Sequence, residues 1–322
     1  MAAFQDVLVR DSTLELLTHQ RRPIPQPAVN LAPMLLEYAV LAAKAYPQEQ
    51  LDRKTAGTKP LPEIAGWEEI ADAPTELLSH THRVGVGRVT CRVFRSFQRE
   101  RAEIVLAFPG MDMRKWADWW AALRWVTRHV PALDDKFRQV RANTRALIDW
   151  LRVRHGADFR LIAVGHSLGG GLAQQAAYTT GGFDEVLAFN PTFVTGWYET
   201  ATEAERRANA KGLHIFRIYE DGEVLAFLWH MVEWFYPLAR IPNPRITRIR
   251  THFYSGFAPL QKHKIVEMSN SLQALASLRN TNEKSSLHLR SHIEQVLGAY
   301  MPKCPTEVES TVKADDESPN AG

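Results

Sequence analysis

The stretch Leu161-Ile162-Ala163-Val164-Gly165-His166-Ser167-Leu168-Gly169-Gly170-Gly171 decides how the rest of the chain is read. Four apolar residues run into Gly-His-Ser-Leu-Gly, and small, helix-forming residues continue to Tyr178. That order predicts a strand, a sharp turn and a helix, with Ser167 at the apex. In a G-x-S-x-G elbow the serine backbone is strained, so its Oγ stands clear of the sheet. The flanking glycines are needed because a side chain there would strike the neighbouring strand or helix. A Ser-Gly turn without chemistry can carry the same five residues. The apolar run before it and the helical run after it supply the context that a nucleophile requires.

On the amino-terminal side, Glu103 to Phe108 is a continuous apolar run of the kind buried on both faces of a parallel sheet, closed by Pro109-Gly110. Helices are expected from about Met113 to Val126 and from Asp134 to Arg154. The second places Phe137, Val140, Thr144, Leu147, Ile148 and Leu151 at helical spacing. Earlier still, Leu35 to Ala45 reads as a helix ended by Pro47. Leu61 to Ile70 reads as a turn leading into a strand, and Arg83 to Phe97 as a β-hairpin turning near Gly85-Val86-Gly87. On the carboxyl side, strands are expected at Phe159–Val164, Glu185–Phe189, Leu213–Tyr219 and Arg245–Tyr254. Helices are expected at Tyr198–Ala210, Lys264–Leu278 and Leu287–Tyr300. Strands alternating with helices give an α/β fold, a mainly parallel sheet with right-handed crossovers and helices on both faces. Residues 1–32, which include Arg-Arg-Pro-Ile-Pro-Gln-Pro, form an arm over the surface. Residues 33–302 form the domain, and 303–322 an acidic, disordered tail without aromatics.

With 322 residues the chain can bury a large core, and its 45% hydrophobic and 23% charged residues are ordinary for a globular protein. A net charge of +3 is too small to argue for nucleic acid. The two cysteines, Cys91 and Cys304, stand far apart and in no metal-ligand spacing, so neither a disulfide framework nor a metal or other cofactor is expected. Residues 1–10 carry an acid and no long apolar run, and no stretch reaches the roughly 18 apolar residues of a membrane span. The default expectation is cytoplasmic, or export by a route that uses no cleaved signal. Oligomeric state is left open.

A serine hydroxyl is a weak nucleophile. It needs a base, and the base needs an acid to fix its tautomer. In open α/β sheets such groups stand at the carboxyl ends of strands. Asp221 lies just past the strand ending at Tyr219, with Glu220 beside it as the reserve; Asp184 stands at the wrong end of its strand. An Asp-Gly turn is the plain alternative for Asp221. For the base, His263 falls in the loop between the last strand and a helix, and His252, inside that strand, is the other candidate. His288 and His292 lie one helical turn apart, but no third metal ligand accompanies them. The oxyanion requires two backbone N–H donors. Leu168, the residue after the nucleophile, supplies one. The loop Phe108-Pro109-Gly110-Met111-Asp112 is the candidate for the other, although a plain Pro-Gly turn carries the same residues.

These residues resemble the class 3, fungal-type lipases of the α/β-hydrolase superfamily. The resemblance runs from about residue 33 to 280. It rests on Tyr38-Ala39-Val40-Leu41-Ala42, Val93-Phe94-Arg95, Ile104 to Met111, Trp116-Ala117-Asp118-Trp119-Trp120, Gly165 to Gly170, and Val186-Leu187-Ala188-Phe189-Asn190-Pro191. It implies an α/β-hydrolase fold and a Ser167, Asp221, His263 triad cleaving carboxylic esters. The interval from Ser167 to Asp221 agrees with the family's; that from Asp221 to His263 is shorter. Three residues depart from the pattern. Pro109 and Met111 replace the family's Arg and hydroxyl residue in the oxyanion loop, and Asn190 stands where the family often has Gly.

Trp116, Trp119, Trp120 and Leu123 make an apolar helical face where such lipases carry a lid, although ordinary core packing explains it as well. The aromatic run Phe227, Trp229, Trp234, Phe235 and Tyr236 lies where an acyl pocket or cap could form, and aromatic belts also favour a membrane surface. A lipase or phospholipase acting on a lipid or other acyl ester is the leading expectation. A thioesterase or peptidase with the same triad, and a catalytically impaired lipase-like interaction protein, are the rivals.

Overall fold

The computed structural model describes residues 12–16, 26–76, 89–110, 136–192, 202–220, 244–251, 253 and 262–277, all within the unit Met1–Ser286. In chain order its elements are β1 (Ser12–Leu16), α1 (Gln26–Lys44), α2 (Gln48–Thr55), β2 (Glu68–Glu69), β3 (Arg92–Ser96), β4 (Glu103–Phe108) and α3 (Lys136–His155). Then come β5 (Arg160–His166), α4 (Leu168–Thr180), β6 (Glu185–Phe189), α5 (Glu203–Ala210), β7 (His214–Glu220), β8 (Arg245–Thr251) and α6 (Ile265–Ala276).

One eight-stranded sheet runs in the order β1-β8-β7-β6-β5-β4-β3-β2. Strands β4 to β8 are parallel, β1 joins β8 in parallel, and β2–β3–β4 form an antiparallel edge. The expected α/β architecture of a mainly parallel sheet between two helical layers is therefore present. The apolar runs explain it. Side chains alternate across a strand, so Ile104, Leu106 and Phe108 enter one core with Phe137, Val140 and Leu147 of α3 and Leu168, Leu172 and Ala176 of α4. Val105 and Ala107 point the other way and are equally buried. There α1 packs on β4, β5 and β6, and α6 packs on α1. A strand covered on both faces is mostly apolar, as β4 and β6 are after the glutamate that opens each.

Several boundaries differ from expectation for physical reasons. Helix α1 starts at Gln26 rather than Leu35 and runs through Pro33, which withholds one helical donor. Burial of Leu31, Ala32, Met34, Leu35 and Tyr38 outweighs that loss. Part of the expected surface arm is a strand, since β1 pairs along its length with Thr247–Thr251. The first arm of the expected hairpin and its turn lie outside the described residues; the second arm contains β3, which pairs with β2 and β4. The expected helices over 113–126 and 287–300 also lie outside them, as do the aromatic run and the tail. Among the described residues no helix is long and apolar enough to cross a membrane.

The amino end of the sheet is held by buried charge. Arg160 Nη1 lies 2.5 Å from Glu103 Oε1 and its Nη2 lies 2.8 Å from Glu185 Oε1. Glu103 also takes the Tyr38 hydroxyl at 3.0 Å and Arg99 Nε at 3.0 Å. Replacing Arg160 by methionine removes the cation shared by two buried carboxylates. The expected loss is about 3 kcal/mol in urea denaturation. A loss under about 0.5 kcal/mol, typical of an exposed pair, would show that this network adds little.

Candidate active site

Strand β5 runs two residues further than the apolar pattern suggests, through Gly165 and His166, and delivers Ser167 to the turn. Ser167 has φ 57° and ψ −124°. A positive φ on a non-glycine residue is strained, and the turn is held from several sides. Ser167 N–H donates to Phe189 O on β6 at 3.0 Å, while Ser167 C=O accepts from Gly170 N at 3.0 Å and Thr192 N at 3.2 Å. The glycines permit the approach. A Cβ on Gly165 would run into the Gly169 carbonyl, and one on Gly169 into the Phe108 carbonyl. Leu168 opens α4, so its N–H belongs to the donors that the helix leaves without an internal acceptor.

His263 stands just before α6, and its Nε2 lies 3.0 Å from Ser167 Oγ. The structure thus brings together the serine and one of the two candidate histidines. His252 lies outside the described residues, as do Asp221 and Met111. Glu220, the reserve acid, is fully buried at the end of β7. Its carboxylate accepts from Thr251 Oγ1 at 2.7 Å and from Phe253 N–H at 2.8 Å, tying β7 to the chain that leaves β8.

Three residues that sequence reasoning gave no role support this arrangement. Asn190 has φ 41°, a backbone that glycine adopts freely and that asparagine tolerates better than most other residues. Its Oδ1 accepts Glu220 N–H at 3.0 Å and its Nδ2 donates to Lys262 O at 3.2 Å. His166 Nε2 lies 2.6 Å from His263 O, and its Nδ1 lies 2.7 Å from the Tyr46 hydroxyl. The only sequence signals were the departure at Asn190 and the position of His166 inside the elbow motif. Tyr46 gave none. No group of His, Cys, Asp and Glu that could hold a metal occurs among the described residues.

Burial holds the His166 imidazole well below its ordinary pKa of 6.5, and positive charge on His263 and on Lys54 adds to the effect. Lys54 Nζ sits 4.4 Å over the Tyr46 ring. The unfolded chain therefore binds a proton that the folded chain refuses. Stability from this group is complete above pH 6.5 and is lost as pH falls below it. The melting temperature is expected to decline from about pH 6.5 towards about pH 5, and to decline less in His166→Gln. Equal slopes in the two proteins would remove His166 as the cause.

No family model matches the sequence, and no curated protein matches it either. Among solved structures the chain is similar to esterase B from Lactobacillus rhamnosis, a structure with a tributyrin phosphonate. The two are 14% identical over 76% of this chain and 96% of that one, with a TM-score of 0.32. Dienelactone hydrolase from Anabaena variabilis is 15% identical over 62% and 94%, with a TM-score of 0.34. An esterase/lipase from an uncultured bacterium is 12% identical over 77% and 99%, with a TM-score of 0.31. Likeness at this level says nothing about substrate or mechanism.

Proposed function

We propose that the chain is a serine hydrolase that cleaves carboxylic esters through an acyl-enzyme. The observation that carries this reading is the 3.0 Å separation of His263 Nε2 and Ser167 Oγ at a strained elbow. A hydroxyl on a positive-φ turn at the carboxyl end of a parallel strand, with imidazole in hydrogen-bonding reach, is the arrangement nucleophilic acyl transfer requires. His263 takes the proton of Ser167 as Oγ attacks the ester carbonyl. The N–H groups of Leu168 and Met111 stabilise the oxyanion, and the imidazolium returns the proton to the leaving alcohol. Water then repeats the sequence on the acyl-enzyme. Asp221 accepts from His263 Nδ1–H and fixes the tautomer in this reading.

Within the ester class, a long-chain or phospholipid ester is the proposed substrate. The helical spacing of Trp116, Trp119, Trp120 and Leu123 in the sequence and the aromatic run from Phe227 to Tyr236 support it. An activity-based fluorophosphonate, followed by a panel of short and long acyl esters, glycerides and phospholipids, tests both levels. Ser167-dependent labelling is expected, with turnover rising with acyl length. Absence of labelling would favour an interaction protein that retains the fold, the reading to which Pro109 and Met111 lend weight.

A further inference from the structure

Beneath the serine–histidine pair lies a buried chain of groups that the proposed reaction does not consume. A carbonyl oxygen can only accept, so the 2.6 Å contact between His166 Nε2 and His263 O places the imidazole proton on Nε2. Nδ1 of the neutral ring must then accept, and the Tyr46 hydroxyl at 2.7 Å donates to it. Tyr46 and His166 are 1% and 2% exposed, so water does not compete for these bonds. Lys264 C=O takes a bond from Met268 N at 3.1 Å at the start of α6, which leaves the His263 carbonyl outside the helical ladder. The peptide preceding it is held by Asn190 through Lys262 O. The Tyr46 hydroxyl also presses on Gly110, where any Cβ would strike both that hydroxyl and the His166 carbonyl. Thus the Tyr46 hydroxyl links the neighbourhood of Gly110 to His166, and His166 in turn reaches the His263 main chain.

We propose that His166 is a positioning residue: its Nε2–H, oriented by Tyr46, holds the His263 main chain so that the His263 ring stays in reach of Ser167 Oγ. This rests on the reading of Ser167 and His263 as nucleophile and base. His166 never touches the substrate. It acts through the acceptor it holds, and misplacing a reacting group by about 1 Å can cost on the order of 100-fold in rate.

Two substitutions separate the two ends of the ring. In His166→Gln the amide nitrogen reaches the place of Nε2 and keeps a donor for His263 O. In His166→Asn the amide stops at the place of Nδ1, which keeps a partner for Tyr46 and leaves His263 O without its donor. The readout is the second-order rate constant for labelling by a fluorophosphonate, with the urea midpoint measured alongside. The asparagine variant is expected to label about tenfold or more slowly, and the glutamine variant to recover to within about threefold of wild type, at similar urea midpoints. Equal rates in the two variants, with the wild type labelled, would overturn the positioning role alone. A wild type that does not label would remove the hydrolase reading and this inference with it. If the asparagine variant does not fold, Tyr46→Phe carries the test. Removing the orienting hydroxyl is expected to slow labelling about threefold, and an unchanged rate would overturn the proposal.

Discussion

Replacing Ser167 by alanine is expected to abolish fluorophosphonate labelling and to lower ester hydrolysis by about 10⁴-fold or more. Replacing His263 by alanine should lower hydrolysis nearly as far. The two effects are large for one reason. In the proposed reaction the pair, with Nε2 3.0 Å from Oγ, acts as a unit, and an unassisted serine hydroxyl at neutral pH is almost wholly protonated and a poor nucleophile. Four orders of magnitude correspond to about 5.5 kcal/mol of barrier, a size that acid–base assistance and nucleophilic attack supply together. Because neither group works without the other, the double variant should be no worse than the poorer single one. What rate remains would come from the oxyanion donors and from substrate binding. Hydrolysis measured with one chromogenic ester across the three variants checks this. If His263→Ala stayed within about tenfold of wild type, the base would lie elsewhere, and His252 would be the first residue to exchange.

How far the fold was legible depended on how strongly burial constrained each segment. The bounds of β4 and β6 agree with the runs Glu103–Phe108 and Glu185–Phe189, because a strand covered by helices on both faces carries polar residues only where they find partners, as Glu103 and Glu185 do in Arg160. Edge strands face no such constraint. Ser-Thr-Leu-Glu-Leu in β1 is too short and mixed to stand out, and its strand character comes from pairing with β8 far along the chain. Local rules misled in two places. The helix expected from Leu35 starts at Gln26 with Pro33 inside it, and Gly165-His166 reads as turn but continues β5. In both, tertiary packing overrides propensity.

The site was legible where a rule about sheets applied. The carboxyl ends of β5 and β7 pointed to Ser167 and to Asp221 with Glu220 as its reserve, and the loop before α6 pointed to His263; of these Ser167, Glu220 and His263 lie among the described residues. Contacts made by side chains distant in sequence carried no such rule. Tyr46 and His166 are separated by 120 residues, and nothing in either local pattern announces that they meet. Asn190 was visible only as a departure from a family habit; its backbone angle supplies the reason. The elbow is thus more than a local turn, since β6, the carboxyl end of α1 and the residues before α6 all converge on it.

That convergence makes the first turn of α4 intolerant in a way that can be measured. A Cβ on Gly169 would fall within 3 Å of the Phe108 carbonyl oxygen and of the carbonyl carbons of Phe108 and Pro109. All three are backbone atoms of β4 and the loop that follows, so none can swing aside as a side chain could. Either the helix start or the strand end must move, and both carry site residues. Gly169→Ala is therefore expected to cost about 3 kcal/mol in urea denaturation and to slow fluorophosphonate labelling about 100-fold. Gly170 is the control. A Cβ there would meet Pro191 Cβ at 3.0 Å, and Ala188 Cβ and the Gly165 carbonyl oxygen at 3.3 Å, contacts that a shift of a few tenths of an ångström relieves. Alanine also favours the helix over glycine by about 1 kcal/mol, which offsets much of that crowding. Gly170→Ala should therefore change stability by less than about 1 kcal/mol and labelling by less than about threefold. Equal losses in the two variants would mean that the close approach of α4 to the end of β4 is not what holds the serine in place.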